Sequence, residues 1–323
     1  MAMAVFIPTL FPTLADLRRA AHWLWWPGVV AVAAAMLDLL RDEARIAGVF
    51  GNANMASLYI NFFAPLGVYG YLCARRGRRW PYLLGLGLSA FAFVLCGSRS
   101  GYLTIPLIVL FFAATLRPVR RMMLWAAPAF LVALILLVPR FESFVAELET
   151  RSFYGSPTGR FKIDLSTGAR ILDLAAGTRM FLDHPVAGVG IGNYSANFVA
   201  YIPDSLRHSQ WANLVVQTGD LSSHNLLVLV GAEMGLVGLF FFLGFFLLIF
   251  LYFARAWQLL PAGPDRVLLI CFIVSALGTL ASGSLHGGFA YRHYVGWYVG
   301  IAYIFWRQAR ESPPTPLVKG AEG

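Results

Sequence analysis

The sequence is poor in charge. Asp, Glu, Lys and Arg make up 13% of its 323 residues, where a soluble domain carries roughly a quarter. Beside a 59% apolar content, that shortage argues against a soluble fold. The apolar residues come in blocks of roughly 18 or more with almost no charge, long enough to cross the hydrocarbon core of a bilayer. Cysteine is scarce as well. Cys73, Cys96 and Cys271 lie in or at the edge of apolar runs, far apart and without metal-ligand spacing, so they read as small apolar residues of helices and not as a metal site. No basic start precedes a short apolar region and a small-residue cleavage site, so a cleavable signal peptide is not expected. Met1 to Leu14 is apolar but broken by Pro8 and Pro12, and reads as a stub of a longer protein or as an interfacial segment. There is no internal repeat, low-complexity tract or second soluble domain.

Acidic residues are few against basic ones, 16 against 25, for a net charge of +9. In a soluble protein this would favour nucleic acid. Here most basic residues stand in short loops between apolar runs, where they set topology, so no nucleic-acid partner is expected.

About eight spanning helices are predicted: Ala21 to Leu40, Met55 to Cys73, Pro81 to Cys96, Tyr102 to Leu116, Met122 to Val138, Asn225 to Phe253, Val267 to Leu285, and Tyr294 to Trp306. If they alternate, Arg18, Arg19, Arg75, Arg76, Arg78, Arg79, Arg117, Arg120, Arg121, Arg255, Arg266, Arg307 and Arg310 all fall on one side. The positive-inside rule makes that side the cytoplasm, with both termini there. The expected fold class is an all-α polytopic membrane protein. Its parts are an N-terminal segment (1–20), helices one to five (21–138), a large outer loop (139–223), helices six to eight (224–306) and a cytoplasmic tail (307–323). The loop, about 80 residues, far exceeds an ordinary connection, and loops of that length usually carry function.

Three segments on the outer side carry candidate chemistry. Gly97-Ser98-Arg99-Ser100-Gly101 sets an arginine at a helix end. Such an arginine is an interfacial anchor, or an anion ligand whose guanidinium holds a phosphate bidentately. In the loop, Thr167-Gly168-Ala169-Arg170 leads to an amphipathic helix and then to Pro185-Val186-Ala187-Gly188-Val189-Gly190. Ser166 or Thr167 is expected to cap that helix. Ile171, Leu174, Ala175, Phe181 and Leu182 form its apolar face, with Arg170, Asp173, Arg179 and Asp183 as polar neighbours, a pattern that suits the membrane surface. Arg170 either pairs with Asp173 on a solvated face or serves a ligand. The glycines do not make a nucleotide fingerprint, because no strand precedes them and the spacing is wrong; a tight, close-packed turn is expected. Third, Ser222-Ser223-His224-Asn225 opens a helix that carries Gly231, Glu233 and Gly235. His224 is either a helix-start residue or a group that accepts a proton or binds an anion. Gly231 and Gly235 are spaced for close helix packing. Glu233, within the membrane, needs a partner, either an arginine or a backbone group.

Taken in order, Gly48-Val49-Phe50-Gly51-Asn52-Ala53-Asn54, Ser98-Arg99-Ser100-Gly101, Arg170 with Pro185, Gly188 and Gly190, and His224-Asn225 with Leu227, Glu233, Gly235, Gly238 and Leu239 resemble the motifs of the bacterial O-antigen ligase and polymerase family. The likeness runs from about Ile46 to Phe253. Two departures stand out. The family usually has about twelve helices against about eight here, and it often has a tryptophan where this chain has Leu174. Pro-Thr-Gly-Arg160 is a second arginine motif whose distance from Pro185 fits less well.

The resemblance implies a GT-C-like membrane glycosyltransferase of the bacterial inner membrane, with its site facing the periplasm. The donor would be a glycan on undecaprenyl diphosphate, used without nucleotide sugar, metal or other cofactor. The acceptor would be a hydroxyl of the lipid A–core (ligase), of a growing glycan (polymerase) or of a protein (O-oligosaccharyltransferase). Arg99 and Arg170 would stabilise charge on the departing diphosphate. His224 would deprotonate the acceptor hydroxyl or hold the diphosphate. Asn225 and Asn54 are carried as substrate-binding candidates, and the helices would supply a groove for the polyprenyl tail and contact membrane lipids. His286 and Arg292, with Tyr291 and His293, form another outer cluster that is either a sugar or phosphate site or an interfacial anchor belt. The rival of a different class is a transporter of the lipid-linked glycan, which would need polar residues at mid-membrane and repeated halves; a non-catalytic scaffold is a third.

Overall fold

The computed structural model describes residues 2–37, 53–96, 99–121, 153–155, 162–219, 221, 223–286 and 291–311. In chain order the helices are α1 (Ala2–Leu10), α2 (Leu14–Ala35), α3 (Ala53–Cys73), α4 (Trp80–Cys96) and α5 (Arg99–Thr115). A short antiparallel hairpin follows, β1 (Phe153–Gly155) with β2 (Lys162–Asp164), Phe153 opposite Asp164. Then come α6 (Leu165–Asp183), α7 (Tyr194–Tyr201), α8 (Asp204–Arg207), α9 (Gln210–Thr218), α10 (Leu226–Leu259), α11 (Pro264–His286) and α12 (Tyr291–Glu311). Among the described residues, the regular structure apart from the hairpin is helical. Seven of the predicted segments overlap helices, namely α2, α3, α4, α5, α10, α11 and α12; the eighth, Met122 to Val138, lies outside the described residues. Among those described, two helices are both long and apolar enough to cross a membrane: α10, and α11 over Pro264–Ser282.

The chain divides into two compact units. The first comprises Met1–Pro118, Phe245–Ser282 and Ala290–Gly323; the second comprises Val119–Gly244 and Gly283–Phe289.

In the first unit, α2 starts where a capping box fixes it. The Thr13 hydroxyl accepts the Asp16 N–H at 3.2 Å, and the Asp16 carboxylate accepts the Thr13 N–H at 3.2 Å, so two otherwise orphaned donors are satisfied. The core centres on Trp25, 1% exposed. A Cβ at Gly67 or Gly85 would stand 2.6 or 2.7 Å from its indole, so glycine at those points lets α3 and α4 close on α2. Polar side chains tie helices as they do in apolar surroundings. Asn61 donates to the hydroxyls of Thr104 (3.1 Å) and Ser282 (2.9 Å). The Tyr298 hydroxyl meets Ser275 at 2.7 Å and Thr279 at 3.0 Å. The N-terminal segment is a helix docked on α12: Ile7 is buried, and a Cβ at Gly300 would stand 2.8 Å from it. Cys73, Cys96 and Cys271 are free thiols, the last two buried, in keeping with their reading as helix residues.

Candidate functional site

The second unit is built around a break in α10. Gly235 has φ 60° and ψ −156°, a conformation essentially confined to glycine. In an unbroken helix the N–H groups of Leu236 and Val237 would bond to the carbonyls of Ala232 and Glu233. Here the turn between α6 and α7 takes all four groups. Leu236 N–H donates to Pro185 O (2.7 Å) and Val237 N–H to Val186 O (3.3 Å), while Val189 N–H donates to Ala232 O (2.8 Å) and Gly190 N–H to Glu233 O (3.0 Å). The approach is too close for side chains. A Cβ at Gly188 (φ 67°) would lie 2.3 Å from the Glu233 carbonyl carbon, and one at Gly235 would lie 2.4 Å from the Val186 carbonyl. The close-packed turn expected from Pro185, Gly188 and Gly190 is present. The expected role of Gly235 is corrected: it serves this backbone splice and not helix–helix packing.

Glu233, buried within α10, accepts the Tyr194 N–H on Oε1 at 3.1 Å. Its partner is thus the backbone group and not an arginine. That bond holds the start of α7 and brings Tyr194, 2% exposed, against α6.

The centre of the site is Asp173, also 2% exposed. The Tyr194 hydroxyl donates to Asp173 Oδ1, and the His224 backbone N–H donates to Asp173 Oδ2 at 2.9 Å. Burial pushes the Asp173 carboxyl above its ordinary value, against the opposing pull of the Tyr194, His224 and Ser223 bonds. Burial and the adjacent Asp173 charge push the Tyr194 phenol up, which keeps it a neutral donor. Asp173 is therefore not on a solvated face, one of the two readings the sequence left open; it is the buried link between α6 and the start of α10. The helix has a second apolar face beside the expected one. Leu172, Ala176 and Met180 turn inward, while Ile171, Leu174 and Leu182 are exposed. The helix begins at Leu165, directly after β2, so Ser166 and Thr167 lie inside its first turn and do not cap it.

Asn225 Oδ1 accepts the N–H groups of Leu227 (3.0 Å) and Val228 (3.2 Å), an N-cap that sets where α10 starts. Ser223 Oγ accepts the Asn225 N–H at 3.2 Å. The backbone donors of His224, Asn225, Leu227 and Val228 are thus all engaged within the protein. A phosphate here would be held by side chains and not by the helix N-terminus.

Arg170 and His224 are half-buried. Arg170 stands three residues before Asp173, about one helical turn away on the same face, and Asp173 holds His224 directly. The fold thus brings two of the three predicted catalytic residues to one neighbourhood, with Asp173 and Tyr194 behind them. Arg99 opens α5 in the first unit, Asn54 lies in the first turn of α3, His286 ends α11 and Arg292 lies in the first turn of α12; their side chains are outside the described residues. So are Gly97, Ser98 and the Arg160 motif. The pair missed by sequence reasoning is Asp173 and Tyr194. The available signal was a carboxylate one turn from Arg170 and an aromatic residue directly after the glycine turn.

The family model described as O-antigen ligase matches residues 84–243. Residues 84–243 belong to the O-antigen ligase family. The match takes in Arg99, Arg170, His224, Asn225, the glycine turn and the break at Gly235, and leaves Asn54, His286 and Arg292 outside it. At the general level the family brings glycan transfer of the O-antigen ligase and polymerase type, a glycosyltransferase role in surface polysaccharide assembly at a membrane. Comparison with curated proteins finds no match. Within the matched residues, the proline–glycine turn and the glutamate–glycine segment of α10 are the two halves of one backbone exchange.

Proposed function

We propose that this protein transfers a glycan from undecaprenyl diphosphate to an acceptor hydroxyl at the periplasmic face of the bacterial inner membrane, as an O-antigen ligase with a lipid A–core acceptor or as a related surface-polysaccharide polymerase. The observation that carries the proposal is the Asp173 bridge, which keeps His224 beside the helix that bears Arg170, inside a domain of the ligase family.

Glycosyl transfer breaks the bond between the sugar's anomeric carbon and the diphosphate oxygen. The electron pair stays on the diphosphate, and charge develops there in the transition state. A preorganised guanidinium lowers the barrier, and loss of one such donor costs on the order of 3 kcal/mol. Arg170 takes this role, with Arg99 as the second cation. The acceptor hydroxyl gives up its proton as its oxygen attacks the anomeric carbon. His224 Nδ1 or Nε2 takes that proton as general base; the alternative role for its side chain is to hold the diphosphate. Asn225 fixes the start of α10 and borders the acceptor; Asn54, His286 and Arg292 are proposed to contact the glycan. The helices lie across the membrane with both termini cytoplasmic, and residues 139–223 face the periplasm. Exposed Ile171, Leu174 and Leu182 on α6 suit a helix that rests on the membrane surface.

The test is a deletion strain complemented with wild type, Arg170→Ala or His224→Ala, its surface glycans resolved on a gel. Loss of glycan attachment with intact long chains assigns ligase, and single repeats assign polymerase. Unchanged surface glycan with a modified protein lost assigns the protein transferase. Full complementation by both variants refutes the proposed site.

A further inference from the structure

A second feature lies in the first unit, where the last turns of α10 and α12 meet. Arg255, Gln258 and Leu259 of α10 and Trp306 and Arg310 of α12 line an open cavity of about 460 Å³. Trp306 belongs to an aromatic cluster beside the cavity: its ring centroid is 5.3 Å from Tyr252 and 5.8 Å from Tyr303, and those two are 6.3 Å apart. The Arg310 guanidinium lies over Trp306 at 5.7 Å.

The charges at this place are uneven. Among the described residues, no lining residue is acidic and Arg255 has no ion pair. The other cations nearby are occupied differently. Arg307 lies over Tyr303 and donates to the Pro12 carbonyl, and Arg266 lies over Trp257. The adjacent carboxylate, Glu311, receives the Gln308 amide at 3.3 Å.

Below Arg255 the helix continues as an apolar stripe. Leu247, Leu251 and Arg255 recur every four residues and so share one face, and both leucines are exposed. From the break at Gly235 to Leu259 the helix is still longer than the roughly 20 residues that cross the hydrocarbon core, so its final turns extend into the headgroup layer. Tyrosine and tryptophan favour the level just inside that layer. Exposed leucines, then an aromatic ring cluster, then two guanidiniums follow the order of acyl chain, interface and phosphate in a lipid.

We propose that this cavity is a binding site for an anionic phospholipid. Arg255 and Arg310 take the headgroup phosphate, Gln258 hydrogen-bonds the headgroup, the aromatic cluster packs on the glycerol region, and an acyl chain lies along Leu251 and Leu247. The positive-inside expectation puts this end on the cytoplasmic side, and the inference does not depend on the glycan-transfer chemistry. The bland alternative treats both arginines as counter-charges for the negative ends of two helices. That alternative gives no preference among lipids.

The experiment compares full-length protein in nanodiscs of phosphatidylcholine alone with nanodiscs containing a fifth phosphatidylglycerol. Retained lipid is counted by native mass spectrometry, and the melting temperature is followed by tryptophan fluorescence. Phosphatidylglycerol should be retained selectively and raise the melting temperature. Arg255→Gln with Arg310→Gln should weaken retention at least tenfold, and the paired lysine variants should lie between. Arg266→Gln removes the same charge outside the cavity and should leave retention unchanged. Equal retention of both lipids, or equal losses from Arg266→Gln and the paired variant, overturns the site. A melting shift reproduced in full by inorganic phosphate in phosphatidylcholine discs overturns the lipid assignment in favour of a small-anion site. If the glutamine pair does not fold, the lysine pair decides: retention equal to wild type overturns the guanidinium-specific site.

Discussion

Replacing Asp173 with asparagine removes a charge but keeps the shape, and the structure says what should follow. Asp173 accepts two donors on two different oxygens, the Tyr194 hydroxyl and the His224 N–H. Asparagine has one carbonyl oxygen and one amide nitrogen, so one of the two donors must face another donor. An unsatisfied buried donor costs about 1–3 kcal/mol. Part of that is returned, because the ionised carboxylate is itself disfavoured by burial, and the neutral amide does not carry that penalty. The net loss of stability should be on the order of 1 kcal/mol. The effect on transfer should be larger, since a shift of about 1 Å in a positioned group can cost roughly a hundredfold in rate. Turnover of Asp173→Asn should therefore fall by about ten- to a hundredfold while the KM for the lipid-linked donor changes little. Tyr194→Phe removes the competing donor. Added to Asp173→Asn, it leaves the single carbonyl free for the His224 N–H, and the double variant should be more active than the product of the single losses predicts. The assays are glycan transfer in liposomes and thermal unfolding in the same lipid. Wild-type turnover by folded Asp173→Asn, or strictly multiplicative losses in the double variant, refutes the idea that Asp173 positions His224.

Three further outcomes follow from the same geometry. Gly235→Ala puts a Cβ 2.4 Å from the Val186 carbonyl at a backbone conformation closed to alanine; it should lower stability by about 3 kcal/mol or more, seen as loss of monodisperse protein in detergent, and a wild-type melting curve would contradict the splice. Glu233→Gln keeps an acceptor for the Tyr194 N–H and should transfer within a fewfold of wild type, whereas Glu233→Leu strands that donor at about 1–3 kcal/mol; abolished transfer in a folded Glu233→Gln would make Glu233 chemical and not structural. The raised Asp173 carboxyl also fixes a pH dependence. Its folded pKa lies above the ordinary 3.8, so the folded chain binds the extra proton between the two values, and Asp173's contribution to stability falls as pH rises from 3.8 through the folded pKa. Asp173→Asn should remove that component from a stability–pH curve, and an unchanged curve would show that Asp173 does not titrate in this environment.

Much of the fold was legible because long apolar runs leave few alternatives. The segments at Met55 to Cys73 and Pro81 to Cys96 became α3 and α4 within a few residues. Legibility failed where short-range pattern was overruled by tertiary packing. The hairpin of Phe153–Gly155 with Lys162–Asp164 is too short for a period to register. On α6 the residues that look apolar by composition, Ile171 and Leu174, are exposed, while a carboxylate is buried. Periodicity cannot foresee that, because Asp173 goes inward only when Tyr194 and the His224 N–H, 21 and 51 residues away, arrive to satisfy it. From the sequence Gly235 reads as a packing glycine because the spacing to Gly231 is that of a helix contact; the deciding fact, the backbone of Pro185–Gly190 entering the break, lies in a distant segment. Of the candidate site, Arg170 and His224 were visible as motif residues, but what joins them was not.

The most direct measurement is transfer from an undecaprenyl-diphosphate-linked glycan to an acceptor, with purified protein in liposomes, comparing wild type with Arg170→Ala and His224→Ala. The proposed chemistry predicts transfer by wild type and a fall of about a hundredfold or more in each folded variant. Transfer at the wild-type rate by either variant, or none by wild-type protein, would contradict it.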